Sequence, residues 1–143
     1  MSADYRQLTR FSDQINRLNN EQKQQFLEAC CKELAARLLA KVIKRTPSKT
    51  GELRRGWTAG VKQNAKQYAD SLNIRHIGDK YSIEITNPVE YASYVEYGHR
   101  TRNHEGWVQG RFMLTISEGE LNNVSDAILQ KKLKKYIKEV FGE

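Results

Sequence analysis

Proline and cysteine are nearly absent from this chain, with two of each among 143 residues. The cysteines, Cys30 and Cys31, are neighbours in sequence. Adjacent cysteines close only a strained ring, and on a helix their side chains diverge by about 100°. Both read as reduced thiols of a cytosolic protein. With no third cysteine, a CxxC zinc or redox site is excluded. No stretch approaches the ~20 apolar residues of a membrane span. The opening MSADYRQLTR has no apolar core, which argues against a secretory signal. Phosphate-cradling glycine loops and HExxH are also missing. Of the three histidines, His76 falls on the apolar face of an expected strand and reads as half-buried. His99 and His104 flank a polar stretch, and two imidazoles without a carboxylate cluster make a poor metal site. Glu90 and Glu96 lie six apart on an expected short helix and point to different faces, so no paired acid and base results. No enzyme activity, metal or cofactor is expected.

The length suits one domain able to bury roughly 68% of its unfolded surface. Apolar residues make up 38% and charged residues 29%. The net charge is +7, and the excess is local. Arg37, Lys41, Lys44, Arg45, Lys49, Arg54 and Arg55 face one acid, Glu52, in the same segment. Lys131, Lys132, Lys134, Lys135 and Lys138 form a second cluster. Such clusters fit a nucleic acid, an acidic protein partner or simply two solvated helix faces.

Hydrophobic spacing orders the chain. Leu8, Phe11, Ile15 and Leu18 predict a short helical extension within residues 1–19. Asn19 with Gln22 has the form of a capping box opening a long helix over 20–45. Its apolar line is Leu27, Cys31, Leu34, Leu38 and Val42, and Pro47 stops it. Residues 53–63 predict an extended piece. Alternation over 72–76 and 81–85 about Gly78-Asp79 predicts an antiparallel hairpin. Residues 89–97 predict a short helix ended by Gly98, where a positive φ is needed. The stretch from His99 to Gly110 reads as a polar loop. Residues 111–117 are apolar enough for burial, and 120–141 keep helical spacing. The expected fold is one α+β domain spanning 1–143: a long N-terminal helix packed on a small antiparallel sheet, with a C-terminal helix.

Candidate contact residues follow from composition. Tyr91, Tyr94 and Tyr97 recur every three residues, a pattern that serves either packing or a subunit contact. Trp57 and Trp107 read first as core or interface anchors. Stacking on nucleic acid beside Arg54, Arg55, Arg100 and Arg102 is the alternative.

Three strings now stand in order after the long helix: Thr46-Pro47-x-x-Thr50-Gly51-x-Leu53-Arg54, Tyr91-x-x-Tyr94-Val95-Glu96-Tyr97-Gly98-His99 and Gly110-Arg111-Phe112-Met113-Leu114. Over about residues 20–141 this order resembles the tail-completion (head–tail joining) proteins of long-tailed double-stranded DNA phages and prophages. The segment after His99 is short and proline-free, where many such proteins carry a proline-rich stretch. The resemblance implies a structural virion protein without catalysis. It would assemble in the host cytoplasm and form a homo-oligomeric ring at the phage neck, between the head connector or adaptor and the tail tube. It implies subunit or partner contacts through Thr50, Arg54, Arg55, Trp57, Tyr94, Glu96, Tyr97, His99, Arg100, Arg102 and Trp107. The arginines would pair with acidic neighbours or touch DNA in transit, without sequence specificity. A tail terminator and a small basic nucleic-acid-binding protein are the alternatives. A toxin-like nuclease would need an acid or base that no residue here supplies.

Overall fold

Helix α1 runs Asn20–Arg45, as the spacing predicts. The Asn19 side chain accepts from the Gln22 N–H at 2.8 Å, and the Gln22 side chain accepts from the Asn19 N–H at 3.0 Å. Such a cap contributes about 1 kcal/mol. Thr46 before Pro47 is extended, at φ −75° and ψ 132°, and ends the helix. The computed structural model describes residues 16–47, 51–78 and 80–142. The expected extension therefore lies outside the described residues up to residue 15, although Leu18 is buried.

The expectation of an extended 53–63 is overturned. Glu52–Gly56 forms a short helix, α2, followed by turns through Gly60. Leu53 and Trp57 are four apart, a helical spacing that puts both into the core together. Helix α3, Ala65–Ser71, follows with its own capping box between Asn64 and Gln67. Strands β1 (Arg75–Ile77) and β2 (Lys80–Ser82) pair antiparallel, with His76 opposite Tyr81. The hairpin is as expected, but β1 is shorter and later than 72–76 and is exposed along its length. His76 is therefore not half-buried; its ring stacks in the open on Tyr81, centroids 4.0 Å apart. Beyond β2 the alternation continues without a strand partner among the described residues: Ile83 and Ile85 are buried, while Glu84 and Thr86 are exposed.

Helix α4, Ala92–Tyr97, ends at Gly98 with φ 88°. The expected polar loop is instead a second hairpin. Strand β3 (Gly98–Arg100) pairs with β4 (Trp107–Gln109), with His99 opposite Val108. Its three-residue strands bury almost nothing, so no apolar alternation announces them. Helix α5 then runs Met113–Phe141, starting seven residues before the expected 120. The α+β class holds, dominated by helices, and among the described residues the antiparallel pairing is divided between two separate two-stranded sheets.

Helices α1 and α5 are antiparallel. Phe26 stacks on Tyr136 with centroids 5.3 Å apart, Glu33 pairs with Lys132 at 3.2 Å, and Arg45 pairs with Glu120. The core between them holds Phe26, Leu34, Leu38, Leu121, Leu129 and Leu133, and Trp57, Tyr81, Ile83 and Ile85 extend it. Cys30 and Cys31 are buried in this core and are not joined in a disulfide. Burial pushes the Cys30 thiol up to about 12 although nearby Lys132 opposes it, so Cys30 holds almost no reactive thiolate at neutral pH.

Candidate interaction surface

The most exposed aromatic surface lies on α4 and the β3–β4 hairpin, and its root is tightly built. The Glu96 carboxylate is buried and accepts from the Leu114 N–H at 2.8 Å, the Thr115 N–H at 3.0 Å and the Thr115 hydroxyl at 2.8 Å. These are the second and third amides of α5, which an N-cap side chain normally satisfies. The residue at the cap position, Phe112, has no acceptor and sits left-handed at φ 48°. Glu96 therefore does the capping from α4, and its charge meets the positive end of the helix dipole. The Arg111 and Phe112 amides donate to the Val95 and Glu96 carbonyls at 2.7 and 3.0 Å. Two glycines allow this crossing. A Cβ at Gly98 would lie 2.5 Å from the Val108 carbonyl oxygen, and one at Gly110 would lie 2.5 Å from that of Glu96.

The tip is also braced. The Thr101 hydroxyl accepts from the Gly106 N–H at 3.0 Å, and the Thr101 N–H donates to the Gly106 carbonyl at 2.9 Å. The Asn103 side chain accepts from the Glu105 N–H at 3.1 Å. Residues 102–109 are all exposed, so both faces of the distal hairpin meet solvent. Tyr94 (58%), Tyr97 (63%) and Trp107 (59%) remain exposed beside Val108, Arg100 and Arg102. His99 is half-buried against Tyr94, with ring centroids 5.5 Å apart.

A separate open groove of about 580 Å³ lies between α1 and α3. Its carboxylates are already paired, Glu33 with Lys132 and Asp70 with Lys66 at 3.8 Å. Among the described residues no three His, Cys, Asp or Glu side chains come together as a metal site, and no helix is long and apolar enough to cross a membrane.

Residues 9–98 match the family model HK97-gp10-like, described as "Bacteriophage HK97-gp10, putative tail-component". The chain belongs to the HK97-gp10-like family. A phage tail component is a structural protein of the virion, and contacts with other tail or head proteins come with that role. No curated protein and no solved structure matches the chain. The HK97-gp10-like match ends at Gly98, where the second hairpin begins.

Within this HK97-gp10-like chain the sequence-derived contact residues separate. Tyr94, Tyr97, His99, Arg100, Arg102 and Trp107 come together on α4 and the hairpin. Arg55 is exposed elsewhere, on α2. Thr50 lies outside the described residues. Trp57 is buried, and its indole N–H donates to the Thr46 hydroxyl at 2.8 Å. Glu96 is buried as the α5 cap. Arg54 is half-buried, and its Nε donates to the Thr46 carbonyl at 2.8 Å, at the end of α1. These last three face inward in the monomer. Sequence reasoning missed the capping role because the bond spans 18 residues. The Asn64-x-x-Gln67 box of α3 was the one overlooked local signal. Arg54→Ala should cost about 1–2 kcal/mol, because a charged donor is lost from a helix-ending carbonyl. Thermal melting checks this through a lowered Tm with a two-state transition retained.

Proposed function

We propose that this chain acts at the phage neck as a ring subunit that joins the head connector to the tail. Its membership in a family of phage tail components supports a structural role. The observation that carries the finer reading is the exposed Tyr94, Tyr97, Trp107, Arg100 and Arg102 surface. Tyr, Trp and Arg are the residues that most often anchor interfaces. They sit here on α4 and the braced hairpin, so little ordering entropy is lost on docking. A head-to-tail contact between copies closes into a ring when the rotation per subunit allows.

Electron microscopy of particles lacking the protein tests this: heads and tails should remain apart. Continued joining of heads to tails would end the reading. Trp107→Ala should preserve the fold, since the ring is exposed, yet lower infectious yield about 30-fold, the effect of one anchor worth about 2 kcal/mol. Circular dichroism and plaque titre read the two halves. Tight, sequence-selective DNA binding with no ring under any condition would favour the nucleic-acid-binding alternative instead.

A further inference from the structure

We propose that the β3–β4 hairpin of one copy docks on the ribbon of residues 83–90 of a second copy, with Arg100 and Arg102 meeting Glu84 and Glu90. This inference rests on the ring reading above and names the contact that builds the ring. Three observations carry it.

The first is charge. The chain is basic overall, yet residues 81–97 hold Glu84, Glu90 and Glu96 and no Lys or Arg. The next segment, 98–111, reverses this with Arg100, Arg102 and Arg111 against Glu105 alone. Glu96 is consumed as the α5 cap, which leaves Glu84 and Glu90 exposed. Among the described residues no ion pair joins these two glutamates to the hairpin arginines, and all four side chains are exposed.

The second is backbone. Ile83 and Ile85 are buried and Glu84 and Thr86 exposed, the alternation of a strand. Yet Glu84, Ile85 and Thr86 make no backbone hydrogen bond to any described residue. Among the described residues the ribbon is an open edge. Among the described residues the hairpin has two strands, so each also keeps one unpaired edge there. Main-chain bonds between two such edges give affinity, and the flanking side chains give register.

The third is apolar surface. Trp107, Tyr97 and Val108 keep about half or more of their surface exposed within one copy. A second copy covers them in a dry contact, whereas DNA in transit must slide past without being held. The two surfaces differ, so the contact is heterologous and propagates from copy to copy.

Charge reversal tests the proposal in cells producing the particles. Arg100→Glu with Arg102→Glu leaves hairpin and ribbon both negative; Glu84→Arg with Glu90→Arg leaves both positive. Each pair alone should lower infectious yield by about 100-fold, since like charges meet at every contact. Supplying both variant proteins together, or all four changes in one chain, should restore yield to within about tenfold of wild type. Glutamine at the same positions removes attraction without adding repulsion, and each glutamine pair should give a smaller loss. A silent charge-reversed or glutamine pair overturns the docking. So does a loss that neither mixing nor the fourfold variant recovers while melting curves show folded protein. Images of wild-type necks separate this from the ring reading. A ring with silent reversals removes only the docking, whereas a single copy per neck removes the ring itself.

Discussion

Replacing Glu96 with alanine should lower stability by about 3 kcal/mol, a drop in Tm of roughly 10 °C for a chain of this size. The carboxylate accepts three hydrogen bonds, from the Leu114 and Thr115 amides and the Thr115 hydroxyl, and it is buried. Alanine leaves two amides at the positive end of α5 without their acceptor. Phe112 has no side-chain acceptor to take over. Glu96→Gln keeps one acceptor oxygen but turns an NH₂ group toward donors, so it should lose about half as much. Thermal melts of the three proteins give the order wild type, Gln, Ala. A melt of Glu96→Ala within a degree of wild type would mean that the cap carries no stability.

A second large effect is expected at Gly110. An alanine Cβ there would lie 2.5 Å from the Glu96 carbonyl oxygen and 2.7 Å from the Gly98 nitrogen, both of them backbone atoms that cannot swing aside. The root of the hairpin must open, at a cost of about 3 kcal/mol. The helical core draws on other residues and should persist. The readout is local: trypsin should cut faster at Arg100, Arg102 and Arg111 while the far-ultraviolet spectrum of the helices remains. Gly119, inside α5, meets nothing within 4 Å, so Gly119→Ala should stabilise by about 0.5–1 kcal/mol. The same chemical change thus carries opposite signs at two glycines nine residues apart.

These residues show how much the sequence revealed. Helix α1 was legible to its ends because its signals are local: a box closed within four residues at Asn19 and a proline just past Arg45. The first hairpin was legible from the alternation of Tyr81, Ile83 and Ile85. Leu53 and Trp57 misled because a four-residue gap with small residues after it also passes for loose alternation. The second hairpin was invisible because its short strands bury no apolar side chain and so leave no pattern, and only Gly98 and Gly110 mark it. The Tyr-Val-Glu-x-Gly string is one of the three whose order carried the resemblance to phage tail proteins, yet Glu96 and Gly98 turn out to serve the crossing with α5. Of the contact residues, those with stacked aromatic and arginine neighbours gathered on one surface. Trp57, Glu96 and Arg54 turned inward, through bonds to residues 8–19 positions away.

Helix α5 buries Met113, Ser117, Leu121, Ser125, Leu129, Leu133 and Ile137, a strict step of four. Each step overshoots a full revolution by about 40°, so the inward line spirals around the rod. Its opening amides are clamped by Glu96, and its far half is seated against α1. The rod is therefore locked in phase at both extremities. One residue inserted between them would swing the distal half by about 100° and unseat either the clamp or the seam. Length along this rod is not slack that evolution can trim, but a gauge of angle between the hairpin and the rest of the molecule.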